Sequence, residues 1–391
     1  MHAALAASGG KGILIHKGKF RAEYVLGRLH GGRHNRRRVR LVCRHWRHLI
    51  DTRTATSLRS RAKTLVVTVE SARVIDVSTG RRGIEWRLSN GTDSTHTMVV
   101  GTHNGIVCLR TDARWGNTIS LYNPVTHERL SVPPLPPPHA GGIRVWDRTF
   151  SFAYNQATGQ YMVVHIPCCF DRVLVFALSE AAWRDVVFPG AARGMRYNLD
   201  AGIVTINNTL YWAGNGEGGN KVMSFNLDGL RAVSAIALPS STPPDTWRLT
   251  DVFGRLGITF SHVSQTINKI EVWVLDGGLS TERRPRVKWT HWYSVQVHAP
   301  RHQPQWHERR HLTLPHFSYD GEQILTRECL RGECALYKHK PLEDTKSQCG
   351  TVRISERNPG KQVARIRTCE DTFKTFVYVD TSEPLSVYKC W

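Results

Sequence analysis

The feature that most constrains the fold is a strand-like motif that recurs about every 50 residues. Four tetrapeptides each begin with a β-branched residue and end with an aromatic one: ISLY at 119–122, VLVF at 173–176, VMSF at 222–225 and IEVW at 270–273. Their first residues are 54, 49 and 48 positions apart. A period of this length is typical of a β-propeller, whose four-stranded blades pack on one another. The repeat predicts a mainly β domain with four clear blades.

Weaker copies of the motif extend this pattern towards both ends of the chain. They are RVIDVSTG at 73–80, CALY at 334–337 and TFVY at 375–378, and they indicate two or three further blades. Short runs bounded by turn residues are the individual strand candidates. These runs are 64–70, 98–100, 105–109, 161–166, 203–206 and 256–260. The repeated aromatic residue is interpreted as core packing that specifies the fold, since large rings at equivalent places in each blade bury the most surface.

The chain before the repeats has a different, helical character. Between residues 36 and 50 the apolar residues recur at three- and four-residue steps, which predicts an amphipathic helix. A shorter helix is predicted over 23–29, ended by Gly31 and Gly32. Two such short helices bury too little surface to fold alone, so they must pack on the rest of the chain or on another protein.

The positive charge of the protein is concentrated in the same segment. Residues 1–63 hold 16 Lys and Arg against two acidic residues, a net +14 out of the +21 of the whole chain. Such a segment suits a nucleic-acid arm, a nuclear-import patch or an acidic partner protein. The arginines that would contact phosphates in the first case are Arg36, Arg37, Arg38, Arg40 and Arg44.

No catalytic, metal or cofactor site is predicted. The nine cysteines include no CxxC pair and are expected to be reduced thiols, as in a cytoplasmic or nuclear protein. Six histidines between 291 and 316 lack the ligand spacing of a zinc site and are interpreted as loop residues. The glycine-rich run 214–220 lacks the lysine of a phosphate-binding loop and predicts a hairpin tip. No apolar run approaches the length of a membrane-spanning helix.

The basic helix resembles the second half of the F-box, which typically reads Val-Cys-Lys-x-Trp-Arg-x-Leu-Ile. Here the run is VCRHWRHLI at 42–50, preceded by Leu41. The run VLGRL at 25–29 is similar to the first half, although His30 stands where the family usually has proline. Residues 23–60 are thus identified as a degenerate F-box-like segment, after an unstructured or truncated stretch at 1–22.

Residues 64–391 resemble the F-box-associated domain of plant F-box proteins, a kelch-like propeller, most clearly over 99–278. The family's Gly-Leu-x-Cys strand, Asn-Pro-x-Thr turn and Tyr-Lys-Val-Val strand have counterparts in this sequence. The matching residues are Gly105, Cys108, Asn123, Pro124, Thr126, Tyr161, Val163 and Val164. AAWRDV at 181–186 and INNTLYWAG at 206–214 continue the family's order.

The resemblance implies a non-catalytic, substrate-recognition subunit of a Skp-cullin-F-box ubiquitin ligase, active in protein ubiquitination. In this interpretation the N-terminal helices bind a Skp-type adaptor, and through it cullin, while the β domain binds a target protein. The adaptor-binding residues it implies are Leu26, Leu29, Leu41, Val42, Trp46 and Leu49. Two alternatives stay open: nucleic-acid binding through the arginine-rich helix, and a propeller that binds partners without the adaptor.

Overall fold

A computed structural model describes most of the chain from residue 62 to residue 388. The stretches between these limits that it leaves out are 89–95, 114–115, 137–149, 156–157, 167–171, 179, 188–195, 217–218, 240–246, 253, 264–266, 277–287, 299–315, 318–323, 331–332, 340–349, 356–359 and 368–373. The predicted helices over 23–29 and 36–50, all six adaptor-binding residues and the five phosphate-binding arginines lie outside the described residues.

The described residues form 25 strands and one short 3₁₀ helix. The first half of the chain contains β1 (Lys63–Val67), β2 (Ser71–Ile75), β3 (Arg82–Arg87), β4 (His96–His103), β5 (Ile106–Ala113), β6 (Gly116–Tyr122), β7 (Arg129–Ser131), β8 (Phe150–Asn155), β9 (Gln160–His165), β10 (Arg172–Ala177), β11 (Arg184–Val187) and β12 (Arg196–Ile206). The second half contains β13 (Thr209–Gly216), β14 (Gly219–Asn226), β15 (Arg231–Ala237), β16 (Trp247–Val252), β17 (Arg255–Val263), β18 (Ile267–Asp276), β19 (Lys288–His298), β20 (His316–Phe317), β21 (Ile324–Leu330), β22 (Glu333–His339), β23 (Gly350–Ile354), β24 (Lys361–Arg367) and β25 (Lys374–Tyr378). The 3₁₀ helix spans Leu385–Tyr388.

The strands form six sheets, which are the blades of a β-propeller. Blade 1 has the order β25-β1-β2-β3, blade 2 β4-β5-β6-β7, blade 3 β8-β9-β10-β11, blade 4 β12-β13-β14-β15, blade 5 β16-β17-β18-β19-β23 and blade 6 β20-β21-β22-β24. Among blades 1 to 5, the first strands of successive blades contact one another, so they lie around the central axis. The prediction of a mainly β propeller is confirmed, with six blades.

Six buried apolar clusters, one at each junction between neighbouring blades, close the ring. Val173, Val175 and Ala177 of β10 pack in the cluster between blades 3 and 4. Phe176, from the opposite face of the same strand, packs in the cluster between blades 2 and 3. Burial on both faces explains why β10 reads as a nearly continuous apolar run and not as an alternating one.

The 50-residue repeat marks one particular strand of each blade. The motifs at 119, 173, 222 and 270 lie in β6, β10, β14 and β18, each of which is the third strand of its blade. The weaker copies at 73–80 and 334–337 overlap β2 and β22, which are also the third strands of their blades. The copy at 375–378 is different because it lies in β25, the innermost strand of blade 1.

Blade 1 joins the two ends of the described chain. β25 pairs antiparallel with β1, with Tyr378 opposite Lys63 and Lys374 opposite Val67. An ion pair of 2.5 Å between Lys63 Nζ and Asp380 lies beside this pairing. Since the innermost strand comes from the C-terminal part and the other three from the N-terminal part, the ring is closed by strand pairing.

Blade 6 is interrupted along the chain. After β22 the chain forms β23, which pairs in parallel with β19 as a fifth strand of blade 5, and then returns as β24 to complete blade 6. This excursion breaks the regular strand order, which explains why residues 291–370 show no clear repeat in the sequence.

Tight turns occupy one face of the propeller, here called the short-turn face. In blades 2 and 4 they join first to second strands, at 104–105 and 207–208, and third to fourth strands, at 123–128 and 227–230. Two of them have positive φ at both central residues: Asn104 and Gly105 at 48° and 81°, and Asn207 and Asn208 at 46° and 61°. Such angles suit the two-residue hairpin turns that follow the natural strand twist, and asparagine and glycine adopt them at least cost. Since β1 begins and β25 ends at this face, the chain enters the propeller here.

Candidate protein-interaction surface

The Asn-Pro-x-Thr turn between β6 and β7 binds the C-terminal segment of the chain. Asn123 is fully buried, and its Nδ2 donates to the backbone carbonyl of Glu383 at 2.8 Å. Its Oδ1 accepts from the backbone N–H groups of Val125 and Thr126, at 2.9 and 3.3 Å. The residue therefore shapes its own turn and also holds residues 381–388 on the short-turn face.

The Glu383 side chain continues this attachment in the core. Its carboxylate is buried and accepts hydrogen bonds from Tyr161, at 3.3 Å, and from Tyr388. The two tyrosine rings pack edge to face with centroids 5.5 Å apart. Tyr388 and Leu385 thereby belong to the cluster between blades 2 and 3. The matched family residues in this region thus hold the fold together.

A group of positive charges lies nearer the opposite face. Lys374 begins β25 and Arg248 lies near the start of β16, and these are the innermost strands of blades 1 and 5. Burial lowers the pKa of Lys374, and the positive charges of Arg110 and Arg248 lower it further. Arg110 is buried and donates to both carboxylate oxygens of Asp112, at 2.7 and 2.6 Å. Asp112 pairs with Arg110, while Lys374 and Arg248 add positive charge to this part of the propeller.

The interpretation of the six histidines between 291 and 316 as loop residues is wrong for the three that the structure describes, which lie on strands. His291 and His298 lie on β19 and His316 on β20, whereas the other three histidines fall outside the described residues. Across the parts of the chain that the structure describes, no three potential metal ligands come together. Burial lowers the pKa of His291, opposed by the negative charge of Glu271.

The structure shows the chemical state of two cysteines, Cys108 and Cys334. Cys108 is a free, buried thiol whose pKa is raised by burial. Cys334 is disulfide-bonded, so the prediction that the cysteines are reduced is wrong for this residue.

The hairpin predicted over 214–220 is confirmed, since Gly216 of β13 pairs with Gly219 of β14. The described part of the chain contains no helix long and apolar enough to cross a membrane.

The third-strand aromatics predicted to be core residues do pack in the inter-blade clusters. Phe176 and Phe225 are fully buried, while Trp273 and Tyr122 are partly buried against neighbouring clusters. Tyr122 also lies on an accessible groove between blades. Sequence reasoning missed the groove and the charged group around Lys374 because both depend on how separate blades are placed side by side.

The six sheets arranged as blades define a class of protein, the β-propellers. Residues 74–369 match the family model of the F-box associated beta propeller domain, and the chain belongs to that family. None of the curated proteins matches the sequence.

Solved structures of similar shape have very different sequences. TolB from Acinetobacter baumannii has 8% identity and a TM-score of 0.42 over 75% of this chain and 66% of its own. A putative TolB from Agrobacterium tumefaciens has 9% identity and a TM-score of 0.39 over 82% of this chain and 98% of its own. Dihydro-heme d1 dehydrogenase NirN has 10% identity and a TM-score of 0.37 over 80% and 74%. At these values the similarities carry no functional information.

Proposed function

We propose that this protein is the substrate-recognition subunit of a Skp-cullin-F-box ubiquitin ligase. The observation that carries the proposal is the match of residues 74–369 to the F-box associated propeller family, directly after a segment that resembles the F-box. The helical segment binds a Skp-type adaptor, and through it cullin. The propeller binds a target protein and holds it near the ubiquitin-carrying enzyme, which raises the effective concentration of the two reactants.

In this proposal the protein makes and breaks no covalent bonds itself, and it acts in the cytoplasm or nucleus. The adaptor is bound on the side of the short-turn face, because Lys63 joins the propeller there. The propeller binds the target, and positive charges such as those of Lys374 and Arg248 favour an acidic surface on it.

The test is co-purification of the full chain with a Skp-type adaptor. A Leu41→Ala/Trp46→Ala variant removes the apolar anchor, and an Arg36→Gln/Arg40→Gln variant removes two charges from the same segment as a matched control. We expect the wild type and the arginine variant to retain the adaptor at about 0.15 M and about 0.5 M salt, because apolar contacts are little affected by screening. The apolar variant should lose it.

Failure of folded wild-type protein to retain the adaptor would contradict the ligase proposal. The nucleic-acid alternative predicts the reverse pattern: retention of DNA or RNA that falls steeply with salt and is lost in the arginine variant. Target binding with no adaptor at either salt would favour a propeller that acts outside the ligase.

A further inference from the structure

A groove of about 650 Å³ lies between blades 1 and 2. It exists because β7 is much shorter than its neighbour: β6 runs for seven residues, but only Ser120, Leu121 and Tyr122 have partners on β7. Among the described residues, the first part of β6 has no outer strand beside it, and β6 and the end of β3 both line the groove.

The groove is elongated along the blades. At one end it is lined by Arg87, the last residue of β3, and by Thr118 near the start of β6. At the other end it is lined by His127 and Arg129, in and just after the turn on the short-turn face. Thr118 and Tyr122 are four strand residues apart, or about 13 Å. A channel of this shape fits an extended peptide better than a compact small molecule.

Aromatic rings form one wall of the groove. Trp86 of β3 and Tyr122 of β6 line it with ring centroids 5.7 Å apart. Both rings are partly buried against the cluster between blades 1 and 2. They offer rigid apolar surface next to polar groups, a combination that is common where proteins bind peptides.

The described residues that line the groove carry positive charge. Arg87 and Arg129 are exposed, and none of these described lining residues is acidic. Arg129 donates from Nε to Ser120 Oγ at 2.9 Å, which fixes the direction of its guanidinium group. Among the described residues neither arginine forms an ion pair with a carboxylate. Two arginines held apart on one channel suit two anionic groups of one ligand.

We propose that this groove binds an extended segment of the target protein that carries two anionic side chains about four residues apart. Phosphoserine and aspartate or glutamate share the required chemistry, oxygen anions that accept paired hydrogen bonds from a guanidinium group. This inference rests on the proposed target-binding function and names the chemistry of that target.

The test uses the full chain and three pools of fluorescent decapeptides. Two positions four residues apart are fixed as Ser in the first pool, phosphoserine in the second and Asp in the third; all other positions are randomised without acidic residues. Retention on the immobilised protein is measured for the wild type, Arg87→Gln, Arg129→Gln and the double variant. Arg365→Gln/Arg367→Gln, on the exposed outer strand of blade 6, removes the same charge elsewhere and is the matched control.

We expect at least one anionic pool to bind about tenfold more strongly than the Ser pool, the gain of about 1.4 kcal/mol that two exposed charge contacts can supply. Each single variant should reduce that binding about threefold and the double variant about tenfold. The blade 6 variant should bind as the wild type does, and Arg87→Lys/Arg129→Lys should recover part of the loss. A preference for phosphoserine over Asp identifies phosphate as the favoured anion, a preference for Asp identifies carboxylate, and equal binding shows that either anion satisfies the groove.

Equal retention of all three pools by the wild type would overturn the proposal, as would an equal loss in the blade 6 variant. Peptide binding to the propeller does not require the adaptor, so the groove and the ligase proposals fail separately. Unfolding temperatures of every variant show whether a loss of binding reflects a loss of folded protein.

Discussion

Asn123 donates a hydrogen bond to the backbone carbonyl of Glu383, which lies 260 residues later in the chain. The same side chain accepts two hydrogen bonds from its own turn. One buried amide thus connects the turn after β6, the third strand of blade 2, with the segment that follows β25. This connection supplements the pairing of β1 with β25 and helps to keep the ring closed.

Replacing Asn123 with alanine should destabilise the propeller by about 1–3 kcal/mol, because the buried carbonyl of Glu383 and two turn N–H groups lose their partner. The measurement is urea unfolding followed by tryptophan fluorescence. Asn123→Asp separates the two roles, since it keeps an acceptor for the turn and removes the donor to Glu383. If the aspartate variant were as stable as the wild type, the link to the C-terminal segment would contribute nothing.

Gly105 provides a second link to the same segment and a sharper comparison. A Cβ atom at this position would lie 2.3 Å from the carbonyl oxygen of Val379 and 2.6 Å from Cγ2 of Thr381, and its φ is +81°. Gly80 also has a positive φ, +72°, but a Cβ there would meet nothing within 4 Å. The two glycines share the backbone requirement and differ in the close approach.

Gly80→Ala should therefore cost roughly 1 kcal/mol of unfolding free energy, the penalty for a left-handed residue with a side chain. Gly105→Ala should cost roughly 2–5 kcal/mol, because overpacking adds to that penalty. Thermal unfolding of both variants under the same conditions gives the difference. If both variants lost a similar free energy of unfolding, the C-terminal segment would be able to move away from the β4–β5 turn without destabilising the fold.

The buried thiol of Cys108 should resist alkylation in the folded protein. The residue has no exposed surface, and burial raises its pKa by disfavouring the thiolate that reacts. Treatment with iodoacetamide followed by peptide mass spectrometry should show Cys108 modified only after unfolding in guanidinium. Rapid labelling of Cys108 in the native protein would contradict the packing between blades 2 and 3.

The strand repeat was the part of the fold that the sequence could specify. The third strand of a blade packs on both neighbouring blades, so it needs apolar residues on both sides, and Val173 through Phe176 display this pattern locally. The position of β25 was not readable in this way. Thr375 to Tyr378 look like any other strand, and only their pairing with β1, more than 300 residues earlier, makes them the innermost strand of blade 1.

Sites that span two blades cannot be predicted from the sequence for a similar reason. Arg87 and Arg129 are ordinary exposed arginines in the sequence, and the groove between them arises because β7 ends early. The six adaptor-binding residues were identified by resemblance alone and stay a prediction, because they lie outside the described residues.

Replacing Lys374 tests whether repulsion between positive charges near the propeller axis lowers the stability of the fold. Burial and the positive charges of Arg110 and Arg248 lower the pKa of Lys374 in the folded state. The unfolded state therefore binds a proton at this amine more tightly than the folded state does. The charged form of Lys374 therefore opposes folding at neutral pH, and the opposition fades as the pH rises towards the unfolded value near 10.5. We expect Lys374→Met to raise stability at pH 7 by a few tenths of a kcal/mol, more at low than at high salt.

Lys288→Met is the matched control for this prediction. Lys288 also begins a strand, but it lies opposite Asp276 in the sheet, so its charge should be neutral or favourable to folding. Denaturation curves at pH 7 and pH 9.5 should show a gain for Lys374→Met that shrinks at the higher pH, and no gain for Lys288→Met. If the positive charge of Lys374 lowers stability, binding of an acidic target would be a reason for the protein to keep it. A loss of stability in Lys374→Met at low salt would show that these charges do not repel one another and would remove that reason.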